Sequence, residues 1–282
     1  MVQVTRRALL TSLTALCGLT SACADQPSPP LPVERLATNV HVEIGRAKLE
    51  LPFIAVESAT DVPMNFSLDR GGNRDRHSQA ADAVIEASSD PHHPLELSHL
   101  TIVVGTYGWN DSDMGQRAMC PLLTRSWSRS VCDDPWAPLQ WALPLNRFTL
   151  VDLESEAIRR LTNCKDDHAF SGAMPQIEGR PYLVCKAAVV GSDDFHQVIM
   201  RIRGSLGAAW LVWGGGQNGE TAENMAGREG EAILAFVRFG IGGDEDFERL
   251  HAEACRHRRP AFLEGPDRSR CPNRALASST KE

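Results

Sequence analysis

Residues 196–213 read HQVIMRIRGSLGAAWLVW and residues 221–239 read TAENMAGREGEAILAFVRF, and the change of period between them decides the fold class. The first stretch predicts two strands, His196–Arg203 and Ala208–Trp213, joined by the turn-like Gly204-Ser205-Leu206-Gly207. So short a connection forces the two strands to run antiparallel. In the second stretch Ala222, Met225, Ala226, Ile233, Phe236 and Val237 recur at helical spacing, with Gly240 as a stop. Gly227 and Gly230 inside that helix each cost about 1 kcal/mol relative to Ala, which makes sense where a helix backbone lies close against a sheet.

Working outward, Tyr182–Val190 is a third strand of the same meander, separated by Gly191-Ser192-Asp193-Asp194, and Phe148–Leu153 and Leu95–Thr106 are further strands. Near the start, Val40, Val42 and Ile44 alternate with His41 and Glu43, and Ala47, Leu49 and Leu51 alternate with Lys48 and Glu50. The two-residue loop Gly45-Arg46 between them predicts a β-hairpin with a type II′ turn. Pairing 44 with 47, 42 with 49 and 40 with 51 places every apolar side chain on one face. A short helix is expected at Gln79–Ala87, after an exposed loop at 69–79 that carries Arg70, Arg74 and Arg76. Beyond the long helix, Asp244-Glu245-Asp246 opens another, and Arg256-His257-Arg258-Arg259 closes it before Pro260; both charge clusters complement the helix dipole. The sum is an α+β fold: a mainly antiparallel β-sheet with an N-terminal hairpin and two C-terminal helices packed on it.

Residues 107–146 interrupt this plan. They hold Trp109, Trp127, Trp136 and Trp141, several prolines and the pair Cys120 and Cys132, and they read as a long irregular insertion closed by a disulfide. The four tryptophans are candidate contacts for a partner, since aromatic side chains dominate binding hot spots.

The first 22 residues have the parts of a secretory signal: Arg6 and Arg7, an apolar stretch from Ala8 to Leu19, and small residues before Cys23. The apolar stretch is too short to cross a hydrocarbon core of ~30 Å as a helix. Thr20-Ser21-Ala22-Cys23 resembles the lipobox of bacterial lipoproteins, with Thr20 where Leu is commoner, and Thr5-Arg6-Arg7-Ala8-Leu9-Leu10 resembles a twin-arginine export motif. The lipoprotein resemblance implies cleavage before Cys23 and acylation of its thiol with chains such as palmitate, hence a membrane anchor without a transmembrane helix. Residues 23–36 then form the lipidated cysteine and a proline-rich tether, and 37–282 form one α+β domain.

Loss of Arg6 and Arg7 leaves 27 basic residues against 36 acidic ones, a net charge of −9. On that balance nucleic acid and anionic lipid are poor partners, and a basic protein or a cation is a better one. Of eight cysteines, Cys17 leaves with the signal and Cys23 takes the lipid. The six that remain permit 15 connectivities. Neighbours along the chain pair as Cys120–Cys132, Cys164–Cys185 and Cys255–Cys271, which suits an oxidising compartment. No Cys-x-x-Cys and no Cys/His set at zinc spacing occurs, so no metal site is predicted.

Other patterns are weaker. Gly214-Gly215-Gly216-Gln217-Asn218-Gly219 matches a dinucleotide fingerprint, but a helix rather than a parallel strand follows the next helix, and Glu220 and Glu223 would repel a phosphate. Asp111 with Asp113, Asp133-Asp134, Asp166-Asp167 and Asp193-Asp194 lack calcium-loop spacing, and His92-His93 with His99 sits at a proline-flanked turn. No nucleophile elbow, zinc-protease helix or phosphate loop is present. No cofactor, nucleotide or catalytic residue is therefore assigned. The expectation is a lipid-anchored, periplasm-facing envelope protein that binds another protein. Its plan is similar to that of immunity lipoproteins, which guard an envelope by plugging a toxin's active site. An envelope hydrolase using loop carboxylates and an assembly or structural lipoprotein are the alternatives.

Overall fold

A computed structural model describes residues 33–59, 66–67, 78–104, 118–134, 137–144, 147–158, 179–187, 194–213, 220–258 and 271. Helix α1 (Val33–Ala37) leads into the hairpin β1 (Asn39–Ile44) and β2 (Ala47–Pro52), then β3 (Val56–Ala59), β4 (Phe66–Ser67) and α2 (Ser78–Ala87). Strands β5 (Leu95–Glu96) and β6 (His99–Val103) follow, then α3 (Ser126–Asp133), α4 (Pro138–Ala142) and β7 (Arg147–Asp152). The meander is β8 (Pro181–Lys186), β9 (Phe195–Arg203) and β10 (Leu206–Trp213), and the chain ends in α5 (Ala222–Phe236) and α6 (Phe247–His257). The architecture is α+β.

The larger sheet has the order β4-β3-β6-β7-β10-β9-β8, with every neighbouring pair antiparallel. The smaller one, β2-β1-β5, contains the hairpin in the expected register, with Val40 opposite Leu51, Val42 opposite Leu49 and Ile44 opposite Ala47. All six of those side chains are buried in the main core, because strict period-two alternation leaves the hairpin one apolar face. The strand expected over 95–106 divides. Leu95–Glu96 runs parallel to β1, and His99–Val103 crosses over to the larger sheet. One continuous apolar run therefore serves two sheets.

Helix α5 begins at an N-cap, Thr221, whose hydroxyl accepts from the Asn224 N–H, and it lies on the larger sheet. At Gly230 a methyl group would come within 2.9 Å of Met200 Sδ and 3.5 Å of Trp210, so close approach requires glycine there. Gly227, expected to play the same part, has open space beside it. The helix does not run as an α-helix to Phe239: from Val237 to Ile241 it widens into a π turn. Helix α6 is capped by Asp246 and packs chiefly on α5 and α4, forming a further layer over the helix that covers the sheet.

The described part of the insertion, 118–134 and 137–144, is largely helical, where its prolines and tryptophans led to the expectation of an irregular segment. Trp127, Val131 and Cys132 face inward from α3, and Trp127 meets Phe236 edge-on at 4.8 Å, while Phe148 of β7 meets the same ring at 5.9 Å. Cys120 and Cys132 are joined, as are Cys255 and Cys271. Cys185 is also in a disulfide, and Cys164 lies outside the described residues. Helix α1 falls inside the segment read as tether, with Val33 and Leu36 packed on Met119, Leu123 and the Cys120–Cys132 pair.

Candidate functional site

Two tight turns meet at one end of the molecule. The β1–β2 turn carries Gly45 at φ +54° and Arg46 at φ +65°, and the β9–β10 turn carries Gly204 at φ +52° followed by Ser205. Positive φ at both central residues makes the first a type I′ turn, in place of the type II′ turn expected from Gly-x. The second keeps the II′ pattern, with positive φ at the glycine alone. The two turns touch: a methyl group on Gly45 would come within 2.6 Å of Ser205 Oγ and 2.9 Å of the Leu206 nitrogen, so no side chain fits at that position.

Between them lies an open cleft of about 370 Å³ lined by Gly45, Arg46, Glu154, Arg201, Arg203 and Ser205. Arg201 and Arg203 follow Ile199 at the strand period of two, at the end of the sheet face opposite α5. Arg46 enters from the other turn. Among the described residues Arg46 is the sole non-glycine at positive φ, a conformation costing about 1–2 kcal/mol for a side chain with a Cβ. Glu154 is the one carboxylate in the lining, and no ion pair joins it to any of the three arginines. The Arg201 Nη1 donates to the Gly204 carbonyl, while its Nε is buried and finds no acceptor. A buried donor without an acceptor is costly in a folded protein unless something else completes it. The cleft is thus a small concentration of positive charge in a chain whose excess is acidic. This local charge is opposite to the one on which a basic partner was expected, because a net charge averages over surfaces that a ligand meets one at a time.

Among the described residues, five other arginines are in ion pairs with carboxylates. Arg35 meets Asp82, Arg147 meets Glu57, Arg228 meets Glu220 and Arg256 meets Glu253. Arg125, only 7% exposed, reaches Glu50 at 2.6 Å and the Gly243 carbonyl at 3.3 Å. Next to it the Glu245 carboxylate accepts from the backbone N–H groups of Ser126 and Trp127, capping α3 from the loop before α6.

The residues singled out by sequence distribute as follows. Trp127 is a core residue, 2% exposed, and is removed as a partner contact because its ring is spent on Phe236. Trp141 is half-buried on α4, and Trp109, Trp136, Cys23 and Gly214–Gly219 lie outside the described residues. Among the described residues, the exposed tryptophan is Trp213, at the end of β10. His93 Nδ1 and Asp90 Oδ2 are 2.8 Å apart across the turn, and this hydrogen bond holds the Asp90 carboxyl below its ordinary range. Among the described residues no three His, Cys, Asp or Glu side chains gather as metal ligands, and no helix is long and apolar enough to cross a membrane. Asp133 and Asp134 end α3, Asp194 is exposed, and Asp111, Asp113, Asp166, Asp167 and Asp193 are outside the described residues.

The sequence reading missed the cleft. Its one available signal was Arg46 in a two-residue loop, and that signal appears only once the turn is known to be type I′. No family model, curated protein or solved structure matches the chain.

Proposed function

We propose that this chain is a lipid-anchored protein of a bacterial cell envelope, held at the membrane through Cys23 and facing the periplasm or the cell exterior, whose folded part binds another protein. The observation that carries the binding reading is the cleft: three arginines line it with the single carboxylate Glu154, none of the three is in an ion pair among the described residues, and one of them is on a backbone conformation that disfavours it. Strain of this kind clusters at functional sites, where the surrounding structure holds it in place. The envelope address is supported by the lipobox-like sequence and by the Cys120–Cys132 and Cys255–Cys271 disulfides, which persist in oxidising compartments. An immunity-type role, occupying the active site of an antibacterial toxin, is the form of this reading that fits a tethered binding domain.

The test uses the mature chain purified in neutral detergent. Mass spectrometry finds an acylated Cys23 as its first residue, and an unmodified Met1 would remove the anchor. Used as bait on extracts of its own host and of competing strains, the chain retains one protein at stoichiometric amounts. If it retains nothing while turning over a pooled substrate set, the binding reading fails. Deletion of the gene poisons cells only beside their kin if the role is immunity.

A further inference from the structure

We infer that the Arg46–Arg201–Arg203 cleft takes a segment of the partner that carries at least two carboxylates; the assignment rests on the protein-binding reading above for its source, but the chemistry is that of the cleft. Guanidinium is planar and presents its donors in a fork that matches a carboxylate bidentately. Three such groups with a single carboxylate among them leave more donors than the cleft itself can satisfy. The space, about 370 Å³, exceeds what one carboxylate group fills, and the three arginines come from two separate elements, the β1–β2 turn and strand β9, so the complement is an extended acidic stretch rather than a single ion. Ser205 adds a hydroxyl at the junction of the two turns. Glu154 at the rim sets a limit on the other side, since it repels an acid placed against it and leaves the three guanidinium groups as the productive contacts. An anionic membrane surface presents oxyanions too, but a mature chain of net charge −9 is repelled by it as a whole.

Arg46 makes the test clean. Asn tolerates the left-handed region that Arg46 occupies, so Arg46→Asn removes the guanidinium while relieving the backbone, and the folded state does not weaken. The probe is a short polyglutamate peptide, with a polyglutamine peptide as control, measured by calorimetry on the mature chain in neutral detergent. The expected result is binding of the acidic peptide alone, weakened about tenfold or more by the double variant Arg46→Asn/Arg203→Gln. It also weakens as salt rises from about 0.05 M to about 0.5 M, because exposed charges are screened. Equal binding by wild type and variant, or no binding of the acidic peptide, overturns the inference. Binding of phosphatidylglycerol vesicles or inorganic phosphate that the same substitutions abolish, with the peptide inert, overturns it in favour of a phosphate site. The two readings separate in the capture experiment. A partner retained equally by wild type and variant sinks the acidic-segment assignment and leaves protein binding standing. A cleft that binds the peptide in a chain that retains no protein does the reverse.

Discussion

Arg125 and the arginines of the cleft sit at opposite ends of a comparison that separates structure from function within one residue type. Arg125 is buried, its guanidinium divided between the Glu50 carboxylate and the Gly243 carbonyl, and the adjacent Glu245 closes the start of α3. The knot ties the hairpin, the insertion and the loop before α6 together through that ion pair and those hydrogen bonds, although the Arg125 Nε, like the Arg201 Nε, is buried without an acceptor. Arg46, Arg201 and Arg203 line an open cleft with one carboxylate, Glu154, and no ion pair to it, and Arg46 is held there against its backbone preference. Internally satisfied charge is what a fold needs; charge left unsatisfied in a concavity is what a ligand needs.

Substitutions sharpen this contrast. The largest effect is expected at Trp127, whose ring joins the knot to the core: Trp127→Ala leaves a void against Phe236 and costs about 3–5 kcal/mol by chemical denaturation. Arg125→Met leaves the partly exposed Glu50 carboxylate with Asn39 as its remaining partner and is expected to cost about 1–2 kcal/mol. A loss below a few tenths of a kcal/mol would mean that the knot is not structural. Glu245→Ala removes the cap from the Ser126 and Trp127 N–H groups, worth about 1 kcal/mol, and adds less than that once Arg125 is already replaced, because the two sites share one loop. At the cleft the sign reverses. Arg46→Gly is expected to stabilise the fold by about 1 kcal/mol, the left-handed cost being lifted, and a destabilised variant would break the contrast by showing that Arg46 serves the fold.

The hairpin was legible in the sequence down to its register because both strands alternate without exception, and a slip by one residue would turn Val40, Val42 and Ile44 to solvent. The change from period two to period 3.6 at residue 221 likewise located the end of the sheet and the start of α5 to within a residue. The insertion was not legible. Trp127 and Val131 stand at the i, i+4 spacing of one helix face, but in so short a helix the tryptophans and prolines around them masked it. The division of 95–106 was hidden for another reason: Leu95 and Leu100 are equally apolar, and only the position of β1 decides which sheet each joins.

The two Gly-x turns set the boundary between the two kinds of information. Sequence alone determined a two-residue turn beginning with glycine at Gly45-Arg46, where strict alternation on both sides leaves no room for more, whereas it marked all of Gly204-Ser205-Leu206-Gly207 as turn and the structure tightens this to Gly204-Ser205 by starting β10 at Leu206. It also determined the α+β class, through the order of its periods. That the Gly45-Arg46 turn is type I′, with Arg46 at φ +65°, and that it packs on Ser205 and Leu206, is seen only in the tertiary structure. That contact joins residues about 160 positions apart, and no local preference encodes it, because the neighbour is there only in the folded state.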